Sequence, residues 1–458
     1  MKTIPMGRSA FFERFTGWFE PARIVALARS TRWLIRQGKI DAFEFLVGLV
    51  FGQMSSLGLS LSAHASCFTE PVKREAVHQR YNEAAVKFFE GSFQECLRQS
   101  LAQSPEASLT QSLAKHFPAI QLVDSTSFDC PESLAQVYPG CGGAASAANC
   151  KVLLRYEYLR GQFDPVALLP GKRSDQGLAG MLPPLLQAGE LLLTDKGLLK
   201  VEVLQQIDRQ GAFFLMPWCR SLTLWLAGAQ NTREALNLAE QLQHSPETVL
   251  GWSQVYLGKG EDAPAFRVAA FRLSPESAGR QRAALREAQR KQGRQPTAEA
   301  LELAGWLILI TNAPEDKLPT GVMAYLYRVR WQVELVFKQC KSVLRLHVTK
   351  ARTNRYRVQC EIWARLIAAV MVFAWHRHLQ AACWAQPQRE ISFAQVAGQL
   401  QQNGMTLALA FIQGGQRLQE TLWRLWRHLL HTTIKGRQRT RKTTWELLNE
   451  HWLKPADA

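Results

Sequence analysis

Short apolar runs that alternate with helical segments between residues 118 and 218 constrain the fold more than any other feature of this chain. Runs bounded by turn residues predict strands at "PAIQLVDSTSF", "NCKVLLRYEYL", "FDPVALLPG", "GELLLTDKGL" and "AFFLMPW". The segment "LLKVEVLQQIDRQG", which lies between the last two runs, has helical periodicity. Strands that alternate with helices in this way predict an α/β domain.

The sequence on either side of this domain has a different character. The first hundred residues read as helices, for example in "ARIVALARSTRWLIRQ", and a long helix is predicted to begin near Leu318. Residues 219–303 hold the β-like pieces "WSQVYLG" and "AFRVAAFRL" and then a basic segment, "RQRAALREAQRKQGRQ", before the strand-like "ELAGWLILITNAP". The predicted divisions are a helical domain at 1–110, the α/β core at 111–218 and 304–380, an inserted β-rich and basic segment at 219–303, and a helical region at 381–458.

Net charge points to a polyanionic partner. Lysine and arginine together exceed the acids by 17, which favours a nucleic acid over an anionic membrane, although a merely basic soluble protein also fits. The nine cysteines show no metal-binding spacing, so we expect reduced thiols in a cytoplasmic protein. Glycines and Gln53 interrupt the most apolar run, at 43–64, so it predicts a pair of core helices better than a membrane span.

Two of the predicted strands end in a carboxylate. Asp124 follows "LV" and Asp195 follows "LLLT". Ligands gather at the carboxyl ends of strands in an open α/β sheet, so both acids are placed for chemistry. The alternative is that each aspartate starts a turn or caps the next helix.

A third acid lies in "YRVRWQVELVFKQCK", at residues 327–341. On a regular α-helix, one stripe carries an aromatic residue, three cations and one carboxylate, namely Tyr327, Arg330, Glu334, Lys338 and Lys341. Valines at positions 329, 333 and 336, with Cys340, form the opposite apolar face, and Trp331 borders the polar stripe. The simpler alternative is an ordinary surface pair between Glu334 and Lys338.

The three acids predict a particular metal and a particular chemistry. Carboxylate oxygens without a thiolate or imidazole cluster suit Mg²⁺ or Mn²⁺ better than zinc. Two such ions could activate a water or a 3′-hydroxyl and stabilise the leaving oxygen of an in-line displacement, while neighbouring cations hold a DNA backbone. The residues therefore predict a basic, divalent-metal enzyme of phosphoryl transfer.

The spacing Tyr327, two residues, Arg330, three residues, Glu334, six residues, Lys341 resembles the signature of the insertion sequence four family of bacterial DDE transposases. The stretches "VDST", "LLPGKRSDQG", "LLLTDKGL" and "GWLILITN" are similar to that family too, so the resemblance covers about residues 118–380. It implies an α/β ribonuclease-H-like catalytic core with a β-rich insertion, flanked by all-α N-terminal and C-terminal regions. It also implies that Asp124, Asp195 and Glu334 hold two Mg²⁺ or Mn²⁺ ions.

The same resemblance assigns DNA contacts. Relatives use the residues at Tyr327, Arg330, Lys338 and Lys341 to contact phosphates, and they stack aromatics that correspond to Trp331 and Trp306 on a flipped base. For Trp306 a core indole is an equal alternative. A basic residue is common at Lys196. Relatives often carry an arginine in the strand after the second aspartate, whereas this chain has Met216 and Pro217 there, with Arg220 slightly later.

We therefore expect a cytoplasmic bacterial transposase that acts by cut-and-paste. It would cleave double-stranded DNA at terminal inverted repeats, pass through a hairpin, and join the ends to target DNA. Helices around "EPVKREAVHQRYNEAAVKFF" would bind the repeat through a helix-turn-helix-like element. The C-terminal helices, at 381–458, would provide the contacts of a homodimer or contact DNA. The alternatives are a ribonuclease-H-like nuclease that joins nothing, a catalytically inactive DNA-binding derivative, and a ribosome- or membrane-associated basic protein.

Overall fold

The computed structural model of the chain contains two compact units, each built from separate stretches of sequence. The structure describes residues 15–54, 58–102, 111–142, 146–228, 232–258, 263–384, 391–434, 448, 450 and 452. The helical unit draws on Met1–Leu109, Ser125–Arg173 and Val333–Arg439, and the sheet unit draws on Thr110–Asp124, Ser174–Gln332 and Thr440–Ala458. The five predicted divisions do not follow this partition, because contacts unite stretches that are distant in sequence. The basic run at 435–442 lies outside the described residues.

Helices make up most of the helical unit and connect the strands of the sheet unit. In chain order they are α1 (Pro21–Ser30), α2 (Ala42–Met54), α3 (Leu61–Ala65), α4 (Arg74–Gln79), α5 (Glu83–Ala102), α6 (Gln111–Ala114), α7 (Val201–Arg209), α8 (Leu238–Gln243), α9 (Pro275–Lys291), α10 (Ala298–Leu303), α11 (Met323–Tyr327), α12 (Trp331–Lys338), α13 (Arg355–Trp384), α14 (Phe393–Gln402), α15 (Gly404–Gln413) and α16 (Gly415–Thr432).

Strands occur at all the positions where the sequence predicts them. They are β1 (Ile120–Asp129), β2 (Asn149–Glu157), β3 (Gln162–Pro170), β4 (Leu191–Leu193), β5 (Phe213–Pro217), β6 (Trp225–Ala227), β7 (Arg233–Ala235), β8 (Val249–Tyr256), β9 (Ala265–Arg272) and β10 (Trp306–Thr311). The predicted helix after β4 is confirmed as α7, which buries Val203, Leu204 and Ile207 on one face. Apolar residues three and four positions apart share one face of an α-helix, so burying these side chains together favours a helix in this segment.

The sheet unit has the strand order β1-β4-β5-β10-β9-β8-β6-β7. The β1–β4 and β4–β5 pairs are parallel, and α7 forms the crossover between β4 and β5. From β5 onward the pairs are antiparallel. The predicted alternation of strands and helices is therefore confirmed as a mixed sheet with helical connections.

The segment 219–303 is part of this sheet. β9 pairs with β10 along six residues, from Trp306 opposite Arg272 to Thr311 opposite Arg267. The β-like pieces "WSQVYLG" and "AFRVAAFRL" are confirmed as parts of β8 and β9, and the basic segment is mainly helix α9. β10 pairs with β9 through the backbone N–H and C=O groups along its whole edge. The segment predicted as an insertion therefore extends the sheet of the sheet unit.

Two side chains hold the end of β10 in place. Asn312 accepts a hydrogen bond from the backbone N–H of Phe214 at 2.8 Å and donates to Asp208 at 2.9 Å and to the Ala212 carbonyl at 2.8 Å. Its amide thus satisfies polar groups on β5 and on the turn that follows α7. Satisfying buried backbone groups in this way is worth more than the average hydrogen bond, because the alternative is an unpaired group.

Arg267 performs a similar role for the segment that follows β10. Its guanidinium donates to the Ala313 carbonyl at 2.7 Å, to the Leu318 carbonyl at 2.9 Å and to the Thr320 hydroxyl at 2.7 Å, and it pairs with Glu315. Burial lowers the pKa of Arg267 from its ordinary value. The start of the helical segment at Thr320 is therefore anchored to β9.

The helical unit is organised around α13, a 30-residue helix that packs against α2 and α5. In the part of the chain that the structure describes, residues Arg355–Cys383 of this helix are long and apolar enough to cross a membrane, yet 94% of the most apolar window is buried inside the protein. The prediction that the run at 43–64 forms core helices is confirmed for its first part by α2, whose thirteen residues are almost all buried. None of the nine cysteines is in a disulfide, as expected.

Two further features of the helical unit bear on the predictions. β2 and β3 form an antiparallel hairpin, and β2 is also the sheet neighbour of β1, whose residues after Asp124 belong to this unit. The predicted helix-turn-helix-like element corresponds to α4 and α5, which residues 80–82 connect. Arg74 and Lys87 are exposed on these helices.

We predict that Asn312→Ala lowers the free energy of unfolding by about 1 to 3 kcal/mol, because it leaves the Phe214 N–H and the Ala212 carbonyl without their partner. Urea unfolding followed by tryptophan fluorescence would measure the change. Asn237→Ala is the matched control, since Asn237 is an exposed residue that caps the short helix α8; it should cost no more than about 1 kcal/mol. Equal losses in the two variants would contradict the role given to Asn312.

Candidate active site

The parallel pairing of β1 with β4 brings two of the predicted acids together. The paired residues Ile120 and Leu191, and Leu122 and Leu193, lie 71 positions apart, as do Asp124 and Asp195. Continuing the register by two residues therefore sets these carboxylates on neighbouring strands and on the same face of the sheet. Thr194, which is buried, donates its hydroxyl to the Val123 carbonyl at 2.9 Å and holds the strands together just before the acids.

Neither acid serves as a helix cap in this structure. β1 continues for five residues beyond Asp124, so the prediction that the strand ends at this acid is wrong. The extension arises because residues after Asp124 pair within the helical unit. Asp195 precedes a 3₁₀ turn, Lys196–Leu198, and its side chain makes no capping hydrogen bond. Both side chains are partly exposed, 25% in the case of Asp124.

Arg330 and Tyr327 lie beside these acids within the sheet unit. Arg330 Nη1 is 3.5 Å from Asp124 Oδ2, and its guanidinium carbon is 5.7 Å from the centre of the Tyr327 ring. The Tyr327 hydroxyl donates to the Thr194 carbonyl at 3.5 Å. Two residues of the predicted polar stripe are thus next to two predicted metal ligands.

The electrostatics of Tyr327 reflect this neighbourhood. Burial raises the pKa of Tyr327 well above its ordinary value, and the Asp195 and Asp124 carboxylates act in the same direction while Arg330 opposes them. The phenol consequently stays protonated at physiological pH and acts as a hydrogen-bond donor. A neutral donor and a fixed cation beside two carboxylates make a surface that can hold a phosphate once the negative charge of the acids is balanced.

The predicted regular helix through residues 327–341 is wrong in detail. α11 passes into a 3₁₀ turn at Arg328–Arg330, α12 follows, and a π-helical turn occupies Gln339–Val343. Residues advance by about 120° in a 3₁₀ turn and by about 100° in an α-helix, so the stripe is not straight. The predicted apolar face is nevertheless confirmed, because positions 329, 333, 336 and 340 are all buried.

The other three residues of the polar stripe belong to the helical unit, and Trp331, which borders the stripe, is exposed to solvent. Trp331 is 58% exposed, which is unusual for a residue of its size. Glu334, on α12, is partly buried and belongs to the helical unit. In the same unit, Lys338 is exposed at the end of α12 and Lys341 is partly buried in the π-helical turn.

The oxygen donors of this site suit a hard divalent cation. Asp124 and Asp195 offer carboxylates of the kind that Mg²⁺ and Mn²⁺ prefer. Among the described residues, no group of three or more His, Cys, Asp or Glu side chains is arranged to hold a metal. The two aspartates therefore offer the oxygen ligands that the expected ion prefers. In this structure the positive charge of Arg330 faces Asp124.

Three other predicted residues lie elsewhere in the sheet unit. Trp306 is only 6% exposed; Arg272 lies over its ring at 4.3 Å, and its indole N–H donates to Glu302 at 3.3 Å. A base could stack on this ring only after these neighbours moved, so the structure favours a packing role. Arg220 is exposed in the turn after β5, and Lys196 is exposed directly after Asp195.

Sequence reasoning overlooked three residues that shape the site. Thr194 links the two acid-bearing strands, and Arg267 anchors the start of the segment that carries Tyr327 and Arg330. Asp175 lies near the turn after Asp195, with its Oδ2 atom 3.8 Å from the position of a Cβ at Gly197. The role of Thr194 could have been predicted from the sequence, because this residue directly precedes Asp195. Nothing in the sequence around Arg267 indicates which groups its guanidinium binds.

Known proteins resemble this chain over most of its length. A family model described as a transposase DDE domain matches residues 115–371, more than half of the chain. The transposases for insertion sequence elements IS231B and IS231E of Bacillus thuringiensis are 25% and 26% identical, and each alignment covers 96% of this chain and 94% of the relative. The transposase for IS1151 of Clostridium perfringens is 23% identical and covers 94% of both chains.

A solved structure also resembles the chain in outline. It is the piggyBac transposase synaptic complex with hairpin DNA, which covers 95% of this chain and 88% of its own, with 11% sequence identity and a TM-score of 0.44.

We predict that Arg330→Gln tightens the binding of Mn²⁺ in the absence of DNA by about fivefold, or ~1 kcal/mol, because it removes the cation that faces Asp124. Isothermal titration calorimetry would measure the dissociation constant. Arg328→Gln is the matched control, since Arg328 is exposed on the same 3₁₀ turn. Weaker Mn²⁺ binding by Arg330→Gln, or an equal effect of the two variants, would contradict the prediction that the charge of Arg330 opposes cation binding at Asp124.

Proposed function

Because the chain belongs to the transposase DDE domain family, we propose that it moves an insertion sequence by a cut-and-paste reaction. Transposases bind DNA, and this family generally uses divalent metal ions. The proposed reaction begins with cleavage at terminal inverted repeats and ends with strand transfer to target DNA. Membership of the insertion sequence four group, suggested by the spacing from Tyr327 to Lys341, is part of the proposal.

The observation that carries this proposal is the pairing of β1 with β4 beside Arg330. Continued by two residues, its register places Asp124 beside Asp195, and Arg330 lies 3.5 Å from the first acid. Parallel strands β1, β4 and β5, with the antiparallel β2–β3 hairpin in the other unit, support a ribonuclease-H-like core. In that core Asp124, Asp195 and Glu334 form the catalytic triad.

Each residue of the site has a proposed role. The three carboxylates hold two Mg²⁺ or Mn²⁺ ions, which supply an activated oxygen nucleophile and stabilise the leaving oxygen when bound. Arg330 and the Tyr327 hydroxyl hold the phosphate at the cleavage site, and Lys338, Lys341 and Lys196 contact the neighbouring backbone. Arg220 extends this basic surface beyond β5.

The exposed ring of Trp331 supports a hairpin intermediate. An indole that is 58% exposed next to Arg330 can stack on a base extruded from the duplex, and stacking offsets the cost of unstacking. Trp306 is the weaker candidate for this role because it is buried against Arg272. Trp331 is therefore the proposed stacking residue.

The wider proposal concerns the protein's partners. Helices α4 and α5 bind the terminal repeat, with Arg74 and Lys87 among their exposed cations. Two transposon ends must be held together, so the active form is a homodimer in a synaptic complex, with contacts in the C-terminal helices. The reaction takes place in the bacterial cytoplasm.

We predict that Asp124→Asn, Asp195→Asn and Glu334→Gln each lower the rate of Mg²⁺-dependent cleavage of a terminal-repeat duplex by more than about a hundredfold, because each removes a metal ligand. Gel assays on the parent element's own end would measure cleavage, and filter binding would check that DNA is still bound. Asp129→Asn is the matched control, because Asp129 is exposed on the same strand β1 as Asp124. This variant should cleave the duplex at the normal rate.

Three outcomes separate the alternatives. A protein that cleaves but yields no joined product from pre-cut ends with free 3′-hydroxyls is a nuclease without strand transfer. A protein that binds the repeat but never cleaves it in Mg²⁺ or Mn²⁺ is a catalytically inactive derivative. Glu334→Gln cleaving as fast as the parent protein would remove Glu334 from the triad.

We predict that Trp331→Ala lowers hairpin formation by about fivefold to a hundredfold, which corresponds to the loss of one base-stacking contact. Because the ring is exposed, thermal stability should change by no more than about 0.5 kcal/mol. Fluorescence of 2-aminopurine at the flipped position would report the stacking directly. Trp252→Ala, on a partly exposed indole of β8, is the control and should leave both readouts unchanged. Undiminished hairpin formation in Trp331→Ala would exclude the proposed role.

A further inference from the structure

The outer face of α16 in the helical unit carries a second concentration of positive charge. Its inner face buries Leu418, Leu422, Leu425, Trp426 and Leu429. Its exposed face carries three arginines and two histidines, at positions 417, 424, 427, 428 and 431, and a single acid, Glu420. No residue of this face belongs to the site described above.

The three arginines form one stripe because of their spacing. Arg417 and Arg424 lie seven residues apart, which is two helical turns, and Arg427 lies about one turn further on, so the three share one side of the helix. The stripe is roughly 15 Å long at about 1.5 Å per residue. B-DNA carries one phosphate about every 3.4 Å along each strand, so a stripe of this length faces several phosphates.

Grooves lie along the stripe, and Arg424 lines all three of them. Their volumes are about 400, 730 and 220 Å³. Their walls also include polar side chains, namely Gln399 of α14, Asn403 directly after α14, and Thr406 of α15. Amide and hydroxyl groups next to arginines are the side chains that usually contact phosphate and sugar oxygens.

The arginines of this stripe are not neutralised by acids in the described part of the chain. Arg417, Arg424 and Arg427 form no ion pair there, and Glu420 accepts a hydrogen bond from Gln416 at 2.7 Å. Helix α9, which is also rich in arginine, differs in this respect. There Arg280 pairs with Glu276 and Arg290 pairs with Glu287, each at 3.0 Å.

We propose that the outer face of α16 is a binding surface for the sugar-phosphate backbone of duplex DNA, additional to the surface around the acids. The identity of the polyanion rests on the proposed function, whereas the presence of the surface rests on the charges and grooves. Duplex DNA fits better than an anionic membrane because every exposed side chain of α16 is polar or charged, whereas an interfacial membrane helix presents apolar side chains. The contact reads no sequence, since it involves only phosphates and sugars.

The test compares two triple variants of equal charge. Arg417→Gln, Arg424→Gln and Arg427→Gln together remove the stripe, and Arg280→Gln, Arg286→Gln and Arg290→Gln together remove the same charge from exposed positions on α9. The affinity for a fluorescent 30-base-pair duplex of random sequence is measured from low to high NaCl. The slope of log affinity against log salt should become less steep by about 2.7 in the stripe variant, or about 0.9 per lost contact, and should stay unchanged in the α9 variant.

Two results would overturn the proposal. An unchanged slope in the stripe variant means that the arginines do not contact phosphates, and equal losses in the two variants mean that only net charge matters. Vesicles with anionic lipid provide a third arm: binding to them that depends on the stripe, with an unchanged DNA slope, would assign the surface to membranes. Circular dichroism checks folding, and Arg424→Gln alone, expected to change the slope by about 0.9, replaces the triple variant if that unfolds.

The assay keeps this proposal separate from the proposed reaction. Asp195→Asn should lose cleavage and keep the parent salt slope, because the acid contributes no positive charge to DNA binding. If no variant cleaves DNA under any condition, the slope of the stripe variant still reports the backbone contact. Loss of cleavage and loss of the salt-dependent contact are therefore independent results.

Discussion

The parallel pairing of β1 with β4 is the constraint on which the candidate site depends. Backbone hydrogen bonds fix the register up to Leu122 and Leu193, and continuing that register by two residues brings Asp124 beside Asp195. Like charges side by side repel, so the backbone and the buried Thr194 bond must hold them against that repulsion. Arg330 then balances part of the negative charge. A site that binds divalent cations needs carboxylates that the fold holds close together despite their mutual repulsion.

The segment after β10 supplies the second half of the site. Arg267 binds backbone carbonyls on both sides of the turn before Thr320, so this segment begins at a defined place. The helix then changes its pitch at Arg328–Arg330, the turn whose last residue, Arg330, pairs with Asp124. A change from α to 3₁₀ geometry rotates the side chains that follow, which leaves Trp331 in solvent while Val329 and Val333 stay buried.

Local patterns predicted most of the secondary structure and part of the site. Apolar runs of the right length gave the strands, and helical spacing gave α7 and the buried face of α12, because these patterns record which side chains leave water. The end of β1 was missed because strand pairing, and not the residues after Asp124, decides where a strand stops. Trp306 was ambiguous because an indole at the start of a strand looks the same whether it packs against Arg272 or meets solvent.

The sequence by itself determined the residue types of the site, the buried apolar face at positions 329, 333, 336 and 340, and the positive charge of the chain. These properties depend on composition and on neighbours within one or two helical turns. The tertiary structure alone decided that β1 lies beside β4 and that the segment 219–303 continues the sheet. It also decided that, among the described residues, the arginines of α16 form no ion pair while Arg280 and Arg290 of α9 do. These outcomes depend on residues far apart in sequence, whose contacts are set by backbone pairing and burial and leave no local pattern.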